Sequence, residues 1–314
     1  MPATLRCFVT GATGFIGSHL VRALLRNRHR VTALIRPAAN TCRITDCIGE
    51  IEVIEGDLDE ITSLASKMPR LGFDAVFHLA WAGVTAEHRN DPKQITWNIN
   101  RSLELWSLFQ AYGCGAWISI GSQAEYGPHS GAIREDAPTV PVTAYGTAKL
   151  ALSMLTGRLC SMVGMRLVWL RLFSTYGPGD DNDHMVPSLI LALLRGERYG
   201  LTLGEQMWDF LFIDDVISAL VAAAELQHVH GVFNLASGTP GRLRDFFTIV
   251  RDSIDKQLTL GIGDLPYRPD QIMHLEGDAT RFRETSGWAP SIGWTEGVKA
   301  TVDWYKMKAN RVYE

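Results

Sequence analysis

The 314-residue chain lacks a surplus of either charge: 30 Lys and Arg stand against 34 Asp and Glu, a formal net charge of −4. That balance offers no electrostatic footprint for nucleic acid or for an anionic membrane. No apolar run reaches the roughly 18 residues of a membrane span, and the first residues lead straight into a strand pattern, so no signal peptide is expected. The five cysteines (Cys7, Cys42, Cys47, Cys114, Cys160) are odd in number and include no C-x-x-C pair. This argues against a disulfide frame or a zinc site and for reduced thiols in a cytoplasmic protein. His228-Val229-His230 has no cysteine or acidic cluster beside it, so it is expected to be a surface turn, and no metal is expected. Internal repeats and low-complexity tracts are absent too. At this length the chain can build one large core or two domains.

What is present starts with Thr10-Gly11-Ala12-Thr13-Gly14-Phe15-Ile16-Gly17. The apolar run Cys7-Phe8-Val9 before it reads as a buried strand. Ser18 to Leu25 after it repeats its apolar residues at helical spacing. Strand, glycine-rich turn and helix in that order present backbone N–H groups at a helix N-terminus, which suits a pyrophosphate. The spacing is G-x-x-G-x-x-G. One glycine serves the tight turn, one the close approach of phosphate, and one the packing of helix on strand.

Further strands are predicted at Val31–Ile35, Ile51–Ile54, Ala75–Ala80, Ala116–Gly121, Arg166–Arg171 and Val232–Ala236. Helices are predicted at Gln94–Tyr112, Ala144–Met162, Val186–Arg195, from Asp214, and at Leu243–Ile254 and Thr295–Lys308. The pattern is α/β: a Rossmann-type, doubly wound parallel sheet of about seven strands with a smaller C-terminal substrate-binding part. Residues 1–178 would form the dinucleotide-binding domain, with a returning segment near 210–237, and 179–314 would mostly bind substrate. Arg36 follows the second strand, where an acid would hold the ribose 2′-hydroxyl of NAD and an arginine can pair with the 2′-phosphate of NADP. NADP(H) is therefore favoured, with NAD(H) the alternative. Asp57, followed by Leu58, either contacts the adenine or caps the next helix. Ser122 lies at the C-terminal end of the fifth strand, where open α/β sheets bind their ligands. Tyr145 and Lys149, four residues apart, share a helix face.

The glycine loop, Ser122 and Tyr145-x-x-x-Lys149 together resemble the extended short-chain dehydrogenase/reductase family, its nucleotide-sugar epimerase, dehydratase and reductase group. His78-Leu79-Ala80, Asn98, Ser122-Gln123-Ala124-Glu125-Tyr126-Gly127, Tyr176-Gly177-Pro178-Gly179, Asp209 to Val216 and Gly287-Trp288-Ala289-Pro290 extend the resemblance over nearly the whole chain. The resemblance implies Ser122, Tyr145 and Lys149 as the catalytic set. Gly11, Thr13, Gly14, Phe15, Ile16, Gly17, Arg36, Asp57, Leu58, Leu79, Ala80, Tyr145 and Lys149 would bind the cofactor. Ser122, Gln123, Tyr145, Ser174, Val186 and Arg268 would bind a nucleotide-diphosphate sugar. Tyr145, whose free pKa is about 10, would be tuned by the Lys149 cation and exchange a proton with a sugar oxygen, Ser122 donating a hydrogen bond to it.

Departures from the family pattern narrow the reaction. Its 4,6-dehydratases carry acids directly after the serine or threonine, where this chain has Gln123 and Ala124. Glu125, one step further on a strand-like path, would face away. Ser174 replaces a common asparagine, and Trp208 a common arginine. Trp208 is free either to stack on a base or sugar or to pack in the core. Gly204–Val216 and Pro266–Met273 are similar to 4-keto-6-deoxysugar reductases acting on CDP-linked sugars, such as the abequose and paratose synthases. The expected reaction is NADPH-dependent reduction of the 4-keto group of a nucleotide-linked (6-deoxy)hexose. An NAD-dependent 4-epimerase is the alternative, and a non-catalytic NADP(H) sensor is disfavoured by the intact Ser122, Tyr145 and Lys149. The resemblance also implies a homodimer paired through the long helix and the Tyr145 helix.

Overall fold

A computed structural model describes residues 3–69, 72–269 and 271–311. Four strands and two helices come first: β1 (Arg6–Thr10), α1 (Phe15–Arg26), β2 (Arg30–Ile35), β3 (Glu52–Glu55), α2 (Ile61–Lys67) and β4 (Ala75–His78). Then follow α3 (Lys93–Thr96), α4 (Asn98–Ala111), β5 (Ala116–Ser122), α5 (Ala144–Val163), β6 (Arg166–Leu172), β7 (Thr175–Tyr176) and α6 (Met185–Leu194). The C-terminal third adds β8 (Gly200–Leu201), β9 (Met207–Trp208), β10 (Leu211–Phe212), α7 (Ile213–Glu225), β11 (Gly231–Leu235), β12 (Gly241–Arg242) and α8 (Leu243–Ile254). It closes with β13 (Gly261–Ile262), β14 (His274–Leu275), α9 (Thr280–Ser286) and α10 (Trp294–Arg311).

Seven strands form one parallel sheet in the order β11-β6-β5-β4-β1-β2-β3. The order reverses between β1 and β4, and a crevice outside the carboxyl ends of strands opens at such a point. Alternation along β1 explains how the sheet is held: Cys7 and Val9 enter the core under α1, α6, α7, α8 and α10, while Phe8 enters the core under α2, α4 and α5. Strands buried on both faces read as continuous apolar runs, which is why they are visible in the sequence. β10 pairs with β7, and α7 leads into β11 at the sheet's edge.

Three local expectations change. The helix at 94–112 is split at Trp97 (φ −101°, ψ −57°), whose indole N–H donates to Asp59 (2.7 Å). The fourth strand stops at His78 because the Ala80 N–H leaves the ladder and donates to Thr10 Oγ1 (3.2 Å). Beyond Ser122 the chain turns into a 3₁₀ segment, Gln123–Glu125, not a strand-like path. Asp270, in the reductase-like segment 266–273, lies outside the described residues.

Candidate active site

The glycine loop sits at the reversal point, between β1 and the segment after β4. Gly11 takes a left-handed conformation (φ +73°), and a Cβ there would stand 2.9 Å from the Ala80 backbone nitrogen. Gly17 packs so tightly on the Gly11 carbonyl that no side chain fits. Gly14 is the N-cap of α1 and offers no capping side chain, so the first-turn N–H groups of Phe15, Ile16 and Gly17 are left for another acceptor. These features fit the pyrophosphate of a dinucleotide. Thr13, Phe15 and Ile16 are half-buried beside this turn, and Leu79 and Ala80 line its far side.

Arg36 stands exposed just past β2, its carbonyl accepting from Ala39 N (3.1 Å). Asp57 uses its side chain to cap a short turn by accepting from Asp59 N (3.1 Å), while Leu58 is buried in the core under α2. The Asp57 side chain thus caps this turn.

Ser122 ends β5, and its Oγ accepts from Ala124 N (3.1 Å). Tyr145 is the second residue of α5, anchored by its N–H to the Arg89 carbonyl (2.8 Å) and hydrogen-bonded through its hydroxyl to Ser122. One turn on, Lys149 is only 7% exposed and donates to the Ile120 carbonyl (2.8 Å). Its Nζ lies 6.0 Å from the Tyr145 ring centre. Burial pulls the Lys149 ammonium down to about 7, the Glu125 charge opposing. Burial also holds Tyr145 above its ordinary value, outweighing the Ser122 bond and the Arg89 charge, with Glu125 adding to the rise. The expected lowering of Tyr145 by Lys149 is therefore absent: desolvation wins, and Tyr145 rests as a neutral phenol.

Several residues of the site were not singled out by sequence reasoning. The Trp81 indole face covers Lys149 Nζ at 3.7 Å and meets Tyr145 edge-on (6.1 Å). Trp81 Nε1 donates to Gln94 (2.8 Å), and Gln94 and Asn98 stitch the segment 82–83 to α3 and α4 through Gly83 O, Ala82 N and Ala82 O. Arg89 lies 5.8 Å from the Tyr145 ring centre. The only signal available for Trp81 was its place two residues past His78-Leu79. His78 itself is sealed between Thr10 (2.9 Å) and Ser102 (2.8 Å), and burial takes its pKa down to about 3, so it is neutral and structural.

The expected substrate residues are dispersed. Gln123 is half-buried in the turn beside Ser122. Ser174 Oγ is engaged by Trp208 Nε1 (3.1 Å), and the half-buried Trp208 ring packs toward Phe210. Trp208 thus leans toward the core and takes up the hydroxyl that replaced an asparagine amide. Val186 is buried in the main core at 4% exposure, and Arg268 stands exposed on the loop after β13. Neither is joined to the catalytic side chains by a described contact. Glu125 does face away from the substrate side, but through the 3₁₀ turn, which tucks its carboxylate against Arg171 and Trp169. His228 and His230 gather no metal-ligand group among the described residues; His228 Nε2 meets the Thr285 carbonyl (2.9 Å). Among the described residues the one group with metal-ligand spacing is Asp180, Asp181 and His184, in which His184 already bonds Asp180 (2.8 Å) and Asp181 pairs with Arg43 (2.6 Å). No described helix is long and apolar enough to cross a membrane.

The chain resembles known proteins over most of its length. A model of the NAD dependent epimerase/dehydratase family matches residues 7–236. The chain is 28% identical to a GDP-6-deoxy-D-mannose reductase of Pseudomonas aeruginosa, over 96% of this chain and 97% of that one. It superposes on the UDP-N-acetylglucosamine 4-epimerase of Methanobrevibacter ruminantium with a TM-score of 0.86, at 26% identity and covering 97% and 99% of the two chains. The UDP-glucuronic acid 4-epimerase of Bacillus cereus, solved with UDP-glucuronic acid and NAD, gives a TM-score of 0.81 at 26% identity, covering 97% and 100%.

Proposed function

The chain belongs to the NAD dependent epimerase/dehydratase family, and on that premise we propose that it reduces the 4-keto group of a nucleotide-linked (6-deoxy)hexose with NADPH. The observation that carries this choice is Arg36, an exposed cation just past β2 where an acid would select NAD. The likeness to a GDP-6-deoxy-D-mannose reductase over nearly the full length supports it. So does the neutral Tyr145, because ketone reduction consumes a proton and the resting phenol carries one.

The cofactor, when bound, supplies the hydride. Gly11, Gly14 and Gly17 would receive its pyrophosphate, Arg36 its 2′-phosphate and Lys149 its nicotinamide ribose. Tyr145 donates its proton to the sugar carbonyl oxygen as that oxygen gains charge, and Ser122 steadies the same oxygen with its hydroxyl. The Lys149 ammonium stabilises the phenolate left on Tyr145 until it is reprotonated. Gln123 and Ala124, an amide and a methyl group, give no acid or base for removing a C5 proton, so dehydration is not part of the reaction.

A second reading, an NAD-dependent 4-epimerase, is favoured by the chain's superposition on 4-epimerases, among them one solved with NAD. Purified protein mixed with NADPH and 4-keto-6-deoxysugars linked to CDP, GDP or UDP separates the readings. Stoichiometric loss of NADPH absorbance is expected. Interconversion of a nucleotide sugar with no net cofactor change would overturn the reductase and leave the epimerase.

A further inference from the structure

The most enclosed carboxylate of the site takes no part in the proton and hydride transfers. Glu125 is fully buried, three residues past Ser122. It accepts from three donors: the Ser122 backbone N–H (2.9 Å), Trp169 Nε1 (3.0 Å) and Arg171 Nε (2.7 Å). Arg171, on β6, donates in turn to the Tyr126 hydroxyl (2.9 Å) and lies over the Tyr126 ring (4.6 Å). Tyr126 donates to Asn234 Oδ1 (2.7 Å) on β11, and Asn234 Nδ2 reaches the Ile133 carbonyl (2.8 Å) in the loop that leads to α5. Gly121 is what admits the cluster: a Cβ there would lie 2.5 Å from Glu125 Oε1 and closer still to Trp169 Nε1.

We propose that Glu125, paired with Arg171, is a positioning residue for Ser122, Tyr145 and Lys149: it locks the end of β5, where Ser122 stands and where the Ile120 carbonyl receives Lys149 Nζ. A buried ion pair is weak grounds for stability, since well-packed apolar residues often replace one at no loss. Its placement at the catalytic strand end, bonded to the backbone of Ser122 itself, is what gives this pair a role in the chemistry. The groups around Lys149 leave Glu125 as the anion. Tyr145 on the same helix is neutral, His78 from β4 is neutral, Trp81 offers a ring face, and Arg89 before α3 is itself a cation. Glu125 accordingly works against the fall of Lys149 to about 7.

This inference rests on Ser122, Tyr145 and Lys149 as the proton- and hydride-transfer site, not on the direction of the reaction. Two variants test it: Glu125→Gln, which strands the buried Arg171 charge and is destabilised, and the double variant Glu125→Val with Arg171→Leu, which removes both charges and keeps the fold. The readouts are kcat and the titration of Lys149, followed by ¹³C NMR of protein labelled at lysine Cε and assigned by loss of the signal in Lys149→Met. In the folded double variant kcat falls about 10- to 100-fold through misplacement of Ser122, and the Lys149 midpoint moves below that of the wild type. It moves further in Glu125→Gln if that variant folds, because Arg171 is then uncompensated. A folded double variant with a wild-type Lys149 midpoint overturns the proposal, as does wild-type kcat. The titration needs no substrate, so a wild type that reduces no ketosugar refutes the proposed reaction while the NMR result still decides the role of Glu125.

Discussion

Replacing Lys149 by Met should make the protein more stable near neutral pH while abolishing its activity. The lysine falls from an ordinary 10.5 to about 7 because it is buried. A folded pKa below the unfolded one means that the unfolded chain binds more protons between about pH 7 and 10.5. Stability contributed through this group therefore rises as pH rises across that window, and the cost is largest below it. At 1.36 kcal/mol per unit the full cost is about 5 kcal/mol. At pH 6 nearly all of it is in force, and by pH 8.5 about 2 kcal/mol of it has been relieved. Methionine carries no such cost. It also forfeits the hydrogen bond to Ile120 O and the cation contact with the Trp81 face, worth about 1 and about 2 kcal/mol respectively. These fade in the wild type as Lys149 loses its proton, but the folded pKa of about 7 already contains that change, so they add nothing further to the pH dependence. The measurable quantity is therefore the gap between variant and wild type. Urea unfolding at pH 6 and pH 8.5 should show the advantage of Lys149→Met shrinking by about 2 kcal/mol between the two. Cys7, Cys114 and the other buried titrating groups are common to both proteins and cancel in the difference. A gap that stays constant over this range would refute the claim that Lys149 is held near neutrality by burial.

Tyr145→Phe should lower turnover by about 10²- to 10⁴-fold while cofactor affinity, followed by quenching of intrinsic fluorescence, changes little; full activity would remove Tyr145 from its role. Gly17→Ala forces a methyl group into the Gly11 carbonyl, and is expected to cost about 1–3 kcal/mol in urea unfolding and to weaken cofactor binding. Gly113→Ala is no control for this, because its φ of +67° strains alanine, whereas Gly49→Ala meets open space and should be neutral in both assays. Met154, Leu155, Met162 and Val163 stand exposed along α5, so light scattering should report a dimer, and Met154→Glu should shift it toward monomer. A monomeric wild type would contradict that expectation.

The parts of the structure legible in the sequence are those written in local periods. Strands buried on both faces announce themselves as apolar runs, and the Tyr145–Lys149 spacing needs only a helix to put both side chains on one face. The two-residue strands β8, β9, β12, β13 and β14 were not anticipated, because two residues carry no period. The roles of Trp81 and Glu125 were missed for a different reason. Glu125 meets Arg171 across 46 residues of sequence, and Trp81 reaches Lys149 from another strand end. Their meaning arises only when parallel strands bring those ends together. The same holds for Tyr145: helical spacing suggested that Lys149 would lower its pKa, and only the burial of both groups reverses the balance.

That reversal bears on the reaction itself. A 4-epimerase must first take a proton from a sugar hydroxyl and later return it, so its tyrosine has to work as base and then as acid within one cycle. A ketoreductase begins with the acid step. In the free site desolvation holds Tyr145 protonated and moves Lys149 toward neutrality, while the Glu125 carboxylate pushes toward a protonated Tyr145 and a charged Lys149. Both states of charge favoured by Glu125 serve the acid step: a phenol ready to donate, and an ammonium ready to stabilise the phenolate that donation leaves. Raising the pH through the Lys149 transition should therefore slow reduction before Tyr145 itself ionises. A kcat/KM profile for ketosugar reduction that falls on its alkaline side as Lys149 of the free site loses its proton is the expected signature, and a profile flat to pH 9 would detach Lys149 from the proton step.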